Sequence, residues 1–265
     1  MTAKRALDVL LAGLGLLVAS PLLVIVLFLV WRYDRHSPFY VAERIGLHGR
    51  PFRMVKIRSM IVNDIPVDST AADDPRITPI GRFIRRYKID ELSQLWNVLK
   101  GDMSLVGPRP NVPREVALYT EEECRLLLVK PGITDLASIV FSDEGEILKG
   151  KDDPDLAYHQ LIRPWKSRLG LVYVENQSLW LDLEILWLTA VSSLISRQSA
   201  LNGVARVLRR LGASQELIDV AQRHRPLSPA APPGQLHVVS TRSIPTPPTA
   251  LRDRHCNIST YESLR

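Results

Sequence analysis

The segment ALDVLLAGLGLLVASPLLVIVLFLVW, residues 6–31, carries a single charged residue, Asp8, and is otherwise apolar around its whole circumference. A helical run of this length exceeds the ~20 residues that cross the hydrocarbon of a bilayer, whereas a soluble core helix keeps a polar face. It is also far longer than the ~7–15-residue apolar region of a cleaved signal peptide, and no good A-x-A site follows it. The chain is therefore expected to be held at a membrane, and the flanks of the run constrain how. Lys4 and Arg5 precede it and Arg32, Arg35 and His36 follow it, so both ends resist transfer across a bilayer. Ser20-Pro21 lies near the middle, where proline removes a backbone N–H and a serine hydroxyl is placed to take a carbonyl released by a bend. These features predict a helix-break-helix hairpin over residues 1–36 that enters and leaves by one face. A merely kinked transmembrane helix is the alternative.

The rest of the 265 residues is enough for one large domain or two small ones, and a hydrophobic content of 46% supplies a core. The formal charge of +6 points to an anionic partner, whether nucleic acid, a phospholipid surface or a phosphorylated substrate. Cys124 and Cys256, the second in a Pro-rich tail, suggest neither a disulfide framework nor a metal site, and a reducing, cytoplasmic setting is expected. Residues 38–62 read as strand, turn and strand, and ITPIGRFIRRYK as a short basic helix. REVALYTEEECRLLLVK reads as one amphipathic helix ending at Pro131-Gly132. SLWLDLEILWLTAVSSLI, residues 178–195, suits either a helix at a membrane interface or a buried core helix. The expected organisation is a membrane anchor at 1–36, a catalytic domain at 37–197, a helical extension at 198–225 and a disordered Pro-rich tail at 226–265. The fold class is α+β and helix-dominated, with a small mixed domain and interfacial amphipathic helices.

The chemistry concentrates in KIDELSQLWNVLKGDMSLVGPRP, residues 88–110. Asp90 and Glu91 open a segment whose Leu92, Leu95, Trp96 and Leu99 mark a helical stripe, so a helix cap with a first-turn acid is the plain structural reading. Cations surround the pair in sequence: Lys56 and Arg58 in MVKIRSM, Arg82, Arg85 and Arg86 in GRFIRRYK, and Arg109 fixed between Pro108 and Pro110. A guanidinium on a rigid turn presents a fork to phosphate oxygens, although an ordinary turn arginine has the same sequence. Carboxylates among arginines suggest phosphoryl transfer, with a divalent ion and cations spreading charge while a carboxylate acts as nucleophile or base. Backbone N–H groups at 91–93 are expected to add anion affinity. There is no Walker A loop, and GLGLLV lacks the third glycine of a dinucleotide fingerprint.

These residues resemble the bacterial sugar transferases, the monotopic phosphoglycosyl transferases that begin lipid-linked glycan assembly. The resemblance runs from Lys4-Arg5 and Asp8 through Ser20-Pro21, AERIGLHGRPFRMVKIRSM, DPRITPIGRFIRRYKIDELSQLWNVLKGDMSLVGPRP and KPGIT to VENQSLWLDLEILWLT, about residues 4–195. It implies a re-entrant anchor in the bacterial inner membrane and a catalytic domain facing the cytoplasm. The implied reaction transfers a sugar-1-phosphate from a nucleotide-sugar donor, usually a UDP-sugar, to a polyprenyl phosphate acceptor such as undecaprenyl phosphate, with Mg2+. On this resemblance Asp90 is the nucleophile and metal contact, Glu91 its partner, and Arg85, Arg109, Lys56 and Arg58 bind substrate phosphate. Three positions depart from the family pattern: Ser93 replaces the proline of D-E-L-P-Q-L, Asp135 the last glycine of K-P-G-I-T-G, and Ser138 a frequent glutamine. Two rival readings are a membrane-tethered phosphatase or pyrophosphatase using Asp90, and a basic nucleic-acid-binding module. Few aromatics interleave the arginines and no helix-turn-helix is recognisable, so nucleic acid is not expected as a partner.

Overall fold

The computed structural model describes residues 2–61, 76–240 and Cys256. Residues 62–75 and most of the tail beyond 240 lie outside the described residues. The fold is helix-dominated α+β, and its contacts group into two compact units, Met1–Arg44 with Pro51–Leu105 and Ile45–Arg50 with Val106–Arg265.

In the first unit the apolar run forms one helix, α1 (Ala3–Asp34), with Pro21 inside it. The expected break is absent. Pro21 has no N–H to offer the Leu17 carbonyl one turn back, and Ser20 Oγ donates to that carbonyl at 2.7 Å instead. The released acceptor is thus satisfied within the helix, which continues through the proline. Both ends of α1 are bound to the same unit. Near the N-terminus, Arg5 donates to the carbonyls of Val98 and Leu99, and Asp8 Oδ1, buried, accepts from Ser104 Oγ at 3.1 Å and Leu105 N–H at 3.0 Å. Near the C-terminus, Val26 and Val30 pack on Ile57, Ile84 and Ile89. Along its length the helix leaves Leu10, Leu14, Leu17, Val18, Val24, Ile25 and Phe28 exposed, and it is long and apolar enough to cross a membrane.

Strands β1 (Phe39–Ile45) and β2 (Pro51–Ile57) pair as the expected hairpin. Helix α2 (Pro79–Arg86) starts at the N-cap Thr78, whose side chain accepts from Gly81 N–H, with proline in its first position. A 3-10 turn, Ile89–Glu91, then leads into α3 (Gln94–Lys100), and β3 (Ser104–Val106) follows.

The second unit is built from α4 (Pro113–Val116), α5 (Glu121–Cys124), β4 (Gly132–Thr134), α6 (Leu136–Val140), α7 (Glu144–Leu148), α8 (Pro154–Leu161), α9 (Arg163–Glu175), α10 (Leu179–Leu194), α11 (Arg197–Arg210) and α12 (Gln215–Gln222). Its core gathers Leu136, Ile162, Trp165, Leu169, Tyr173, Ile185, Leu201 and Leu208. The single helix expected over REVALYTEEECRLLLVK is divided into α4, α5 and a 3-10 turn, Arg125–Leu128. Thr120 and Glu123 form a reciprocal capping box, which starts a new helix in the middle of a continuous amphipathic pattern. Helix α10 has two apolar faces: Leu181, Ile185 and Leu188 are buried, while Trp180, Leu183, Trp187 and Leu194 are exposed.

The tail also departs from expectation. Residues 226–240 form a strap fastened at several points: Ala230 N–H donates to Gln160 O, Gln160 Nε2 to Val239 O, Arg168 to Ala231 O and Thr120 Oγ1 to Pro233 O. Beyond it, Cys256 is joined to Cys124 of α5 by a disulfide. A Pro-rich segment has no periodicity from which such docking could be read, yet its carbonyls still find donors on packed helices.

Beside the strap, Glu123 is fully buried and accepts from Arg163 at 2.7 Å and Ser167 Oγ at 2.6 Å. Glu123→Ala would leave a buried guanidinium without its counter-ion, which destabilises by about 3–5 kcal/mol. The midpoint of denaturant unfolding in detergent should fall accordingly. Glu216→Ala, exposed on α12, should change the unfolding free energy by no more than about 0.5 kcal/mol.

Candidate active site

The first unit brings three of the expected residues together. Lys56 Nζ, near the end of β2, lies 3.7 Å from Asp90 Oδ2 and 3.6 Å from Glu91 Oε1, and all three side chains are half-buried. One ammonium thus serves two adjacent carboxylates. The 3-10 turn allows this arrangement. Lys88, in the left-handed region at φ 52°, turns the chain after α2 and takes the N-cap position of the turn, and Ser93 is the N-cap of α3. Asp90 occupies neither cap, so the structural reading of it as a helix cap falls. The expectation that the N–H groups of 91–93 bind an anion is corrected for two of them: Glu91 N–H donates to Lys88 O and Leu92 N–H to Ile89 O.

Two polar side chains fix this turn against β2. Ser93 Oγ lies 3.0 Å from both Val55 O and Asp90 O, so its one hydrogen ties the dyad turn to the strand that carries Lys56. Asn97, fully buried on α3, accepts from Val55 N–H at 3.0 Å and donates to Arg53 O at 2.8 Å and Asp102 Oδ2 at 3.1 Å. Its amide supplies the edge of β2 with the partners that another strand would provide.

Arg85, on the last turn of α2, donates through Nε to Ser59 Oγ at 2.8 Å and through Nη2 to Met60 Sδ at 3.2 Å. Arg58 is committed elsewhere. Its guanidinium is buried, forks onto the Asp34 carboxylate with one bond of 2.7 Å, and donates to Ser37 O, Met60 O and His36 O. All five N–H groups are engaged, so the phosphate role expected of Arg58 is replaced by a structural one: it clasps the C-terminus of α1. Ser20 and Pro21 lie mid-helix in α1, away from both termini.

Arg109 belongs to the second unit, exposed on a turn whose backbone is tightly held. Gly132 N–H donates to Pro108 O, Gly107 N–H donates to Thr134 O, and a Cβ on Gly132 would stand 2.1 Å from Gly107 N. The glycines of GPRP and KPGIT are therefore required by backbone-to-backbone contact. In the same unit burial pushes the Tyr158 hydroxyl well above the usual phenol range, Glu144 and Glu115 push it the same way, and Arg163 and Arg109 oppose them.

Asp90 and Glu91 form a pair rather than part of a larger metal-ligating cluster among the described residues. That donor set suits Mg2+, which is usually held by one or two carboxylates, with substrate phosphate and water in its other positions.

The family model for bacterial sugar transferases matches residues 1–196, which include every residue discussed above in the first unit. The chain belongs to the bacterial sugar transferase family. It is 37% identical over 204 residues to an undecaprenyl-phosphate galactose phosphotransferase of Salmonella typhimurium, covering 71% of this chain and 39% of the relative. It is 39% identical over 208 residues to an undecaprenyl-phosphate glucose phosphotransferase of Komagataeibacter xylinus, covering 75% of this chain and 37% of the relative. It is 40% identical over 197 residues to the uncharacterized sugar transferase EpsL of Bacillus subtilis, covering 74% of this chain and 89% of the relative. The chain thus spans about two fifths of the length of the first two and most of the third.

The departures from the bacterial sugar transferase pattern acquire roles here. Ser93 supplies a hydroxyl bond that proline lacks. Asp135 is the N-cap of α6 and accepts from Ser138 N–H at 2.6 Å and Ser138 Oγ at 2.5 Å, so these two departures complement each other. Sequence reasoning missed Asn97, Ser59 and Asp34. Asn97 left a signal, since asparagine is a poor helix former, but it lies off the stripe of Leu92, Leu95, Trp96 and Leu99, on the face that α3 buries with Gln94 and Val98. Asn97→Ala would strand Val55 N–H and Arg53 O, at about 1–3 kcal/mol for each group left unsatisfied. Asn97→Asp should lower the thermal midpoint further at pH 7, because a carboxylate would face Asp102. Part of that excess should be recovered on acidification, once one carboxyl of the pair is neutral and their repulsion is relieved.

Proposed function

We propose that this protein transfers a sugar-1-phosphate from a nucleotide sugar, of the UDP class, to a polyprenyl phosphate such as undecaprenyl phosphate, the initiating step of a lipid-linked glycan. The observation that carries the reading is the Asp90–Lys56–Glu91 cluster, two carboxylates sharing one ammonium with neither acid used as a helix cap. Family membership and the named activities of the Salmonella and Komagataeibacter relatives support it.

In the first half-reaction an Asp90 oxygen attacks the sugar-bearing phosphorus. A P–O bond to the carboxylate forms, the bond to the bridging oxygen breaks, and its electron pair leaves with the nucleoside monophosphate, UMP for a UDP-sugar. In the second, an oxygen of the lipid phosphate attacks the same phosphorus and Asp90 departs as a carboxylate. Lys56 offsets the repulsion between the dyad and the incoming phosphate, and Glu91 manages a proton or the metal. Arg85, in the unit of the dyad, binds phosphate oxygens, and Arg109 is a phosphate-binding arginine of the second unit. Mg2+ held by Asp90, with Glu91 beside it, would supply charge neutralisation at the same oxygens.

The acceptor is a lipid, and α1 is suited to its solvent. An unbent helix separates residues 5 and 34 by about 44 Å, more than the ~30 Å hydrocarbon of a bilayer. Residues at both ends nevertheless bond to one unit, Arg5 to Val98 and Leu99 and Asp34 to Arg58, which favours an anchor that does not cross. We place the anchor in the bacterial inner membrane with the catalytic residues on the cytoplasmic side, and the exposed Trp180, Leu183 and Trp187 of α10 at the interface. In a reducing compartment the Cys124–Cys256 pair would stand as thiols, and the strap would rest on its hydrogen bonds.

Nucleoside monophosphate release from a panel of nucleotide sugars, with and without polyprenyl phosphate, tests the reaction. Ping-pong kinetics and an intact-mass increase of one sugar phosphate in the absence of acceptor are expected. Asp90→Asn should fold and take no label, and Glu91→Gln should slow turnover by about 10²–10⁴-fold. Turnover by Asp90→Asn, or steady release into water without a lipid acceptor, would overturn the reading.

A further inference from the structure

One buried residue outside the dyad touches both ends of the helix that carries Arg85. The carbonyl of Ser59 accepts from Thr78 N–H at 3.1 Å and lies 3.4 Å from Thr78 Oγ1, at the N-cap of α2. The first turn presses so closely on this carbonyl that a Cβ on Gly81 would stand 1.8 Å from it. At the other end of α2, the Ser59 hydroxyl accepts from Arg85 Nε at 2.8 Å. Ser59 is only 8% exposed, and its chain neighbour Arg58 is pinned by Asp34 and three backbone carbonyls. The acceptor that Arg85 uses is therefore a fixed point, not a mobile surface hydroxyl.

We propose that Ser59 is a positioning residue for the reaction: its hydroxyl, with Met60 Sδ as a weaker second acceptor, sets the plane of the Arg85 guanidinium so that the fork meets donor phosphate already oriented. This deepens the proposed function and rests on Arg85 being a phosphate ligand. An arginine free to rotate loses side-chain entropy when a ligand orders it. An arginine held at Nε has lost much of that freedom before the donor arrives, and preorganisation of this kind tightens binding without changing the chemical step. The aliphatic-sounding motif MVKIRSM thereby divides its labour. Lys56 meets the dyad, Arg58 holds the end of α1, and Ser59 with Met60 orients Arg85.

The test is a double-mutant cycle on donor kinetics. Ser59→Ala should raise KM for the nucleotide sugar about tenfold, a loss of about 1.4 kcal/mol, with kcat changed less than about twofold. Ser59→Thr, which keeps the hydroxyl, should restore most of the affinity. Lysine has no Nε–H of this geometry, so adding Ser59→Ala to Arg85→Lys should raise KM no further. Thermal midpoints of all variants are measured alongside, and the cycle is read from the KM and kcat split, which a general loosening of α2 would not produce. Unchanged KM in Ser59→Ala, a fall confined to kcat, or effects of the two substitutions that multiply would overturn the positioning role while leaving the reaction intact. A parent protein that releases no nucleoside monophosphate from any nucleotide sugar would instead overturn the reading of the site, and this proposal with it.

Discussion

The two clasps on α1 constrain the rest of the structure. A helix with this much exposed apolar surface suits lipid better than water, and Arg5 and Asp8 at one end and Asp34 at the other are all bound to the unit that contains Asp90 and Glu91. Asp8 in particular is a buried carboxylate satisfied by one hydroxyl and one backbone N–H, and removing it from that pair would expose it to hydrocarbon or leave the pair without an acceptor. Helix α1 and the unit that carries Asp90 and Glu91 are consequently not separable modules. Arg58 makes the same point from the other side, because a guanidinium that sequence would assign to phosphate spends four of its five donors on Asp34, His36 and Ser37 at the end of α1 and the fifth on Met60 O.

The site itself is assembled by short polar ties rather than by regular secondary structure. Asn97 and Ser93 join the dyad turn to β2, so Lys56 reaches both carboxylates from a strand whose edge is completed by side chains. A small sheet with one hairpin has few ladder hydrogen bonds to fix its register, and a buried amide that satisfies both an N–H and a carbonyl substitutes for them. Ser59 extends this pattern to α2. In each case one buried polar residue serves two elements, and the energetic asymmetry of buried hydrogen bonds makes these positions intolerant of truncation.

Much of this was legible in the sequence where local pattern and local structure coincide. The hairpin, α2, α10 and the α11–α12 pair follow from periodicity and turn residues, and the family was readable from the residues around Asp90. The failures have particular causes. Thr120 and Glu123 restart a helix inside an unbroken amphipathic pattern, and a cap can be told from an interior threonine only by its backbone. Ser20 repairs the carbonyl that Pro21 orphans, so a sequence that reads as a break leaves the helix continuous. The partner of Arg58 lies 24 residues away in sequence and that of Cys124 lies 132 away, separations at which composition carries no signal. The strap at 226–240 looks disordered because its contacts are made by backbone N–H and carbonyl groups, which carry no side-chain signal.

The account depends most on both clasps being closed in the membrane, with the ends of α1 on one side. Single cysteines at Ala3 and Tyr40, in a background with Cys124 and Cys256 replaced by serine, can be challenged with a membrane-impermeant maleimide in right-side-out and inverted vesicles. Both positions should be labelled in inverted vesicles and both protected in right-side-out ones. Labelling of one position from each side would show a helix that crosses the bilayer, with at least one clasp broken, and would contradict the account.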